Sequence, residues 1–211
     1  MSPRSYRMGQ RQAEVDETRA RIVEAARGQL AETGALSLDA VARRADVARA
    51  TVYYQFGSKT GLLEAVCDAL AAGGGMERLA EAFTAADPWA GVDRFVAVFG
   101  GFWAVDRRCT RRLRALAALD DEVGRVIAAR DARRRQGAAV LVGRLPGAPE
   151  GAAARLYVLT SFETFDALAA EVAGVAGPEA DGSEGADGDL RAAVPVVTAM
   201  VRAALGAPQA G

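Results

Sequence analysis

The sequence predicts an all-α protein of about nine helices, with a small amino-terminal three-helix domain and a larger carboxy-terminal helical domain. Apolar residues recur at three- and four-residue spacing along most of its 211 residues, which is the period of an amphipathic helix. Alanine, arginine and leucine dominate these segments, and all three favour helix. Hydrophobic residues make up 51% of the chain, which is enough for a sizeable core.

The first helix is predicted from about Asp16 to Thr33, because Gly34 ends a run of apolar residues that repeats every four positions. The residues of this run are Ile22, Ala26 and Leu30. Residues 1–15 lack such a pattern, so we expect a flexible, mildly basic arm there.

Residues 37–59 predict two short helices joined by a tight turn. Ser37 is a typical N-cap for the first of them, and Asp46 occupies the turn. The second helix, at about 48–54, offers little besides Val52 to a core, so most of its side chains are expected to point outward.

Three glycines at 73–75 predict a boundary between two domains. Residues 16–60 form the predicted first domain, a connecting helix covers 61–75 after a cap at Ser58, and the second domain covers 76–211. Its predicted helices lie at about 76–86, 88–106, 109–119, 121–144, 150–173 and 189–206.

The composition argues against catalysis and against secretion. Histidine, the commonest general base and metal ligand, is absent, and no phosphate-binding glycine loop or nucleophile motif occurs. We therefore expect no enzyme, no metal and no cofactor. Cys67 and Cys109 provide no disulfide framework, and no apolar run is long enough to cross a membrane. The expected location is the cytoplasm.

The outward side chains of the short helix at 48–54 suit double-stranded DNA, whose major groove admits a helix. Arginine contacts guanine, glutamine contacts adenine and the threonine methyl group suits thymine, whereas tyrosine hydroxyls and lysine suit phosphates. The alternative is that the tyrosines are core aromatics and the arginine a solvated charge. The residues concerned are Arg49, Thr51, Tyr53, Tyr54, Gln55 and Lys59.

The segment from Thr18 to Val66 resembles the DNA-binding domain of TetR-family transcriptional regulators. The matching motifs are SLDAVARRADV, ATVYYQF, SK and LLEAV. The resemblance implies a recognition helix from Ala48 to Gln55 and a phosphate contact at Lys59. Ser37, at the start of the preceding helix, is added to this set. The predicted DNA-binding residues are therefore Ser37, Arg49, Ala50, Thr51, Tyr53, Tyr54, Gln55 and Lys59.

Three positions depart from the family pattern. Asp46 replaces a glycine that is common in the turn, Gln55 replaces a frequent histidine, and Gly61 replaces a frequent acidic residue. Aspartate tolerates a left-handed backbone, so we expect the turn to persist. Arg7 and Arg11 of the predicted arm could reach the adjacent minor groove.

The resemblance also implies a carboxy-terminal ligand-binding domain, and its aromatic residues predict a largely apolar effector. Ordinary core packing is the alternative for each of them. The predicted ligand-binding residues are Phe95, Phe99, Phe102, Trp103, Tyr157, Phe162 and Phe165.

In TetR-like proteins the last two helices form the dimer interface, so the resemblance implies a homodimer on a palindromic operator. The predicted interface residues are Val158, Phe162, Phe165, Val194, Val197 and Val201. The predicted function is a transcriptional regulator, specifically a repressor released by a small molecule. The alternatives are a helical enzyme or a binding protein that uses the carboxy-terminal cavity. Cys109 lies among arginines, which leaves a redox role open.

Overall fold

The computed structural model describes residues 3–175 and 189–207. These residues form eleven α-helices, two short 3-10 helices and no strand, so the predicted all-α class is confirmed. In chain order the α-helices are α1 Pro3–Thr33, α2 Leu38–Arg44, α3 Arg49–Phe56, α4 Lys59–Gly73, α5 Leu79–Thr84, α6 Pro88–Trp103, α7 Arg107–Ala117, α8 Asp121–Val142, α9 Ala152–Leu159, α10 Phe162–Val175 and α11 Val194–Leu205. The 3-10 helices are Met76–Arg78 and Leu190–Ala193. No helix in the described part of the chain is both long and apolar enough to span a membrane.

Two predicted helix boundaries are wrong. Helix α1 begins at Pro3 and not at Asp16, so the residues predicted as an arm continue into the first helix. The side chains of Arg7 and Arg11 lie outside the described residues. The single helix predicted at 150–173 is two helices, because the chain breaks at Thr160, where the backbone carbonyl accepts a hydrogen bond from Trp103 Nε1 at 3.0 Å.

The described residues fall into two compact units. The first comprises the described residues up to Ala69 together with Arg111–Ile127, and the second comprises Leu70–Thr110 and the described residues from Ala128 onward. Sequence analysis assigned residues 111–127 to the second domain. Helices α4, α7 and α8 each contribute residues to both units.

In the first unit, α1 packs on α2, and α2 packs on α3. Ile22, Ala26 and Leu30 are fully buried, which confirms the predicted inward face of α1. Val52 of α3 and Leu62 of α4 are buried as well. Val52 is therefore the one fully buried residue of α3, and its other side chains are half-buried or exposed.

In the second unit, α6 lies between α5 and α11 and carries the largest cluster of buried aromatic side chains. Asp87 caps α6 by accepting hydrogen bonds from Trp89 N at 3.0 Å and Ala90 N at 3.2 Å. Arg202 of α11 forms two hydrogen bonds with Asp93 of α6, at 3.0 and 2.5 Å. Cys109 is completely buried, so its thiol is not accessible to an oxidant in this structure.

Candidate functional site

The turn between α2 and α3 depends on Asp46. Its φ is 52°, and it is the one non-glycine residue with a positive φ in the described part of the chain. The turn is closed by a hydrogen bond from Val47 N to Ala42 O at 3.0 Å. A left-handed backbone is unfavourable for most L-residues, but aspartate and asparagine adopt it more readily. The expectation that the turn persists with aspartate is confirmed.

We predict that Asp46→Gly raises the free energy of unfolding by roughly 0.5–1 kcal/mol. Glycine removes the cost of the left-handed conformation, and this gain exceeds the entropy that glycine adds to the unfolded chain. Asp46→Val should lower it by about 1–2 kcal/mol. Chemical denaturation followed by circular dichroism measures both effects. Asp46→Asn is the control for loss of charge and should differ from the unsubstituted protein by less than about 0.5 kcal/mol. Equal stability of the glycine and valine variants would contradict the prediction.

Helix α3 presents a polar, exposed surface. Val52 is its buried residue, whereas Tyr54 is 85% exposed and Tyr53 is 42% exposed. Arg49 and Ala50 are exposed, and Thr51 and Gln55 are half-buried. Ser37 is exposed at the N-cap position of α2, although its side chain makes no capping hydrogen bond. The α3 side chains that the sequence singled out for DNA are therefore exposed or half-buried on one short helix.

Neighbouring side chains hold Arg49 at the start of α3. Its Nη1 lies 3.1 Å from an oxygen of Asp39, and its guanidinium lies 5.5 Å from the centre of the Tyr53 ring. Its Nη2 donates a hydrogen bond to the Tyr53 hydroxyl at 3.4 Å. The hydrogen bond to Tyr53, followed by the charge of Asp39, raises the pKa of Arg49. The cation is therefore permanent and already positioned beside an exposed aromatic ring.

Arg19 anchors the other end of α3, a role that sequence analysis did not assign. Its Nη1 donates to the backbone oxygen of Gln55 at 2.8 Å, and its guanidinium lies 4.4 Å from the centre of the Phe56 ring. An arginine near the last turn of a helix compensates the partial negative charge of the terminal carbonyl groups. Because the contact spans 36 positions, no local pattern could reveal it.

Lys59 forms an ion pair that the sequence did not predict. Its ammonium lies 2.7 Å from Asp120 Oδ2, and both residues belong to the first unit. The other oxygen of Asp120 accepts hydrogen bonds from Glu122 N and Val123 N, at 3.0 and 3.2 Å, and so caps α8. The hydrogen bond from Lys59, followed by these backbone donors, lowers the pKa of Asp120. A phosphate that contacts Lys59 has to compete with this carboxylate.

The beginning of α4 is well defined despite Gly61. The Gly61 N–H donates to Ser58 Oγ at 3.0 Å, so Ser58 caps the helix as predicted. A Cβ atom at position 61 would overlap the carbonyl oxygen of Phe56. The absence of a side chain at Gly61 therefore lets the Phe56 carbonyl lie close to the first turn of α4.

We predict that Asp120→Asn raises the affinity for DNA of any sequence by roughly threefold and steepens its salt dependence, because Lys59 becomes available for one more phosphate. Asparagine retains the oxygen that caps α8. Fluorescence anisotropy with a random-sequence duplex at several salt concentrations measures the change. Asp121→Asn at the neighbouring exposed position is the matched control for the loss of one negative charge. If the two variants gain affinity equally, the ion pair does not restrain Lys59.

The second unit contains a cavity of about 510 Å³. Four of the predicted ligand-binding residues line it, namely Phe95, Phe99, Phe102 and Trp103. The remaining three, Tyr157, Phe162 and Phe165, are not among its lining residues. Phe162 and Phe165 belong to the hydrophobic core of this unit, as do Phe95, Phe99 and Trp103, and their contact with a ligand stays a prediction.

The other walls of the cavity were not predicted from the sequence. Met76, Leu79 and Phe83 contribute apolar surface, and residues 130–140 of α8 contribute the polar surface. The aromatic spacing on α6 identified one wall. The α8 segment is rich in arginine and was therefore indistinguishable from an ordinary solvated helix face.

Most of the predicted interface residues pack against other residues of the same chain. Phe162, Phe165, Val197 and Val201 are buried in the core of the second unit, so their surfaces are not available to a second subunit. Val158 is 57% exposed, and Val194 is half-buried. Two other residues of α11 are exposed and apolar, Val196 and Met200, at 38% and 39%. The apolar residues on both sides of α11 gave no means of choosing the outward face from sequence.

Comparison with known proteins agrees with this architecture. A transcriptional regulator from Rhodococcus sp. RHA1 matches with a TM-score of 0.61 at 20% identity, over 90% of this chain and 99% of that one. A TetR-like transcriptional regulator from the same organism gives a TM-score of 0.54 at 21% identity, over 90% and 97% of the two chains. The multidrug binding protein EbrR complexed with imidazole gives 0.50 at 26% identity, over 87% and 89%. No curated protein sequence matches the chain.

A helix-turn-helix with a polar, exposed second helix is typical of DNA-binding proteins. Residues 22–66 match the family model for bacterial regulatory proteins of the tetR family. The chain is a transcriptional regulator that carries the TetR-family DNA-binding domain.

Proposed function

We propose that the protein is a repressor that binds a palindromic operator as a homodimer and leaves it when a small molecule enters the cavity of the second unit. The observation that carries this proposal is the exposed polar surface of α3, where Arg49, Tyr53 and Tyr54 are directed away from the core. In this proposal α3 enters the major groove and its side chains contact base edges.

The contacts divide into those that recognise sequence and those that fix position. Arg49 is proposed to contact guanine and Gln55 adenine, with Thr51 and Ala50 against thymine methyl groups. The hydroxyl groups of Tyr53 and Tyr54 are proposed to bind phosphates. Ser37 and Lys59 are proposed to do the same, and Lys59 must then exchange Asp120 for the phosphate.

One recognition helix contacts too few base pairs for useful specificity, so we propose a two-fold dimer. The exposed apolar side chains of α9 and α11 support an interface on these helices. They are Val158, Val196 and Met200. This set replaces the buried residues that the sequence suggested.

Effector release requires a free-energy coupling of only about 1–3 kcal/mol between the two sites. The cavity of the second unit is large enough for a small ligand. Likeness to EbrR, a multidrug binding protein, also supports a small-molecule ligand. The second part of α8 lines the cavity, whereas its first residues, which follow the cap at Asp120, belong to the first unit. We therefore propose that α8 and α4 transmit the effect of ligand binding to the DNA-binding helices.

Selection of DNA from a random pool by the full-length protein tests the proposal. We expect enrichment of two inverted half-sites whose centres lie about one helical turn, roughly 34–36 Å, or a multiple of it apart. A mobility-shift assay with the selected duplex should show one specific complex containing two subunits. Recovery of no common sequence, or of a single unrepeated half-site, would count against a palindrome-binding dimer.

A further inference from the structure

The cavity of the second unit has two chemically distinct sides. Its aromatic walls come largely from α5 and α6, whereas every polar residue among the described lining residues comes from α8. These polar residues are Arg130, Asp131, Arg133, Arg134 and Gln136. Three of them, at positions 130, 133 and 134, share one helical face with Gly137 and Val140, because three- and four-residue spacing places side chains together.

The polar side carries more positive than negative charge. Three arginines line the cavity beside one aspartate, and residues 125–136 as a whole contain five arginines and one acidic residue. Charges beside apolar walls interact more strongly than charges in water, since the local dielectric constant is lower. The charges of the lining residues therefore favour an anionic ligand over a cationic one.

Arg134 places part of this charge deep in the unit. Its side chain is 3% exposed. It donates to the carbonyl oxygen of Tyr157 and, at 3.3 Å, to the hydroxyl of Thr160, which are both neutral groups. Asp131 Oδ1 lies 3.3 Å from Nη2. These contacts fix the guanidinium in position while it lines the cavity.

The same guanidinium lies beside three aromatic rings, two of which line the cavity. It lies 4.1 Å from the centre of the Tyr157 ring, 5.8 Å from that of Phe99 and 6.0 Å from that of Trp103. A cation bound over aromatic rings needs those faces for itself. Of these rings, Phe99 and Trp103 line the cavity, and Arg134 already takes the place of a cation beside these two.

We propose that the effector is a hydrophobic anion, an apolar body that carries a carboxylate, with the body against the α5 and α6 aromatics and the carboxylate toward the α8 arginines. This inference rests on the proposed function, in which the cavity is the effector site. A guanidinium pairs with a carboxylate through two parallel hydrogen bonds, which gives the orientation as well as affinity. Arg130 is half-buried and Arg133 is exposed, so the arginines extend from the interior to the surface of the cavity.

Isothermal titration calorimetry of the full-length protein with three amphiphiles of equal chain length tests the proposal. The probes are decanoate and decylammonium, used below their micelle concentrations, and decanol, used below its solubility limit. We expect decanoate to bind about tenfold more tightly than decanol, since hydrogen bonds to a charged group add to the same apolar contact, and decylammonium to bind most weakly. Arg133→Gln should weaken decanoate severalfold and leave decanol unchanged. Arg125→Gln, on the same helix but outside the lining residues, should change neither.

Tighter or equal binding of decanol or decylammonium overturns the inference, and so does failure of decanoate to bind. The DNA selection described above is performed without any ligand and therefore tests the proposed function separately. A protein that prefers decanoate but selects no palindrome retains its anion site and loses its role as a palindrome-binding repressor. A protein that selects a palindrome but prefers decylammonium remains a DNA-binding regulator with a different class of effector.

Discussion

Phe165→Ala is expected to lower the free energy of unfolding by about 3–5 kcal/mol. Phe165 has no exposed surface, and its ring lies so close to α6 that a Cβ atom at Gly100 would be 3.0 Å from it. Truncation removes the buried ring and leaves a cavity between α10 and α6, which surrounding side chains refill only in part. The loss should appear as a shift of the denaturation midpoint with little change in slope.

Tryptophan fluorescence provides the measurement, because Trp89 and Trp103 are the two tryptophans of the sequence and both belong to the second unit. The control is Leu119→Ala, because this side chain is 86% exposed and lies outside the proposed interface. It should lower the free energy of unfolding by less than about 0.5 kcal/mol. Both variants must be compared at one protein concentration, since the dimer proposed above would make stability concentration-dependent. A Phe165→Ala protein that unfolds normally but no longer self-associates would instead favour the interface role predicted from sequence.

Short-range features of the first unit were accessible from sequence. The apolar repeat of Ile22, Ala26 and Leu30 lies within one helix, and the structure buries all three. The left-handed turn followed from the chemistry of Asp46, because few residue types tolerate that conformation. The exposure of Tyr54 followed from the small number of apolar residues in α3. Each of these inferences needed only residues that are close together along the chain.

Contacts between distant segments were not accessible. Lys59 and Asp120 are 61 positions apart, and nothing local to either residue indicates the other. The choice of the outward face of α11 failed for a different reason. Val197 and Val201 are buried whereas Val196 and Met200 are exposed, yet all four are apolar. Periodicity shows which residues share a face, but it does not show whether that face meets the same chain or a second copy.

Arg49→Ala is expected to reduce discrimination between the selected operator and unrelated DNA by about tenfold to a hundredfold. Arg49 is the exposed arginine of α3, and Asp39 and Tyr53 already hold its guanidinium in place. Alanine removes the proposed bidentate base contact together with the side chain that Asp39 and Tyr53 hold in place. Arg49→Lys should not restore discrimination, because an ammonium cannot form the paired hydrogen bonds of a guanidinium.

The measurement compares the affinity of each variant for the selected duplex and for a scrambled duplex at one salt concentration, since affinity for both depends on salt. Two further variants separate base recognition from charge. Lys59→Ala should weaken both duplexes alike and lower the salt slope by about one, because Lys59 is proposed to contact a phosphate. Arg21→Ala removes an exposed arginine from α1 of the same unit and should leave discrimination unchanged. If Arg49→Ala weakens both duplexes equally and the ratio stays constant, Arg49 contacts the DNA backbone, and sequence recognition must lie with Thr51 and Gln55.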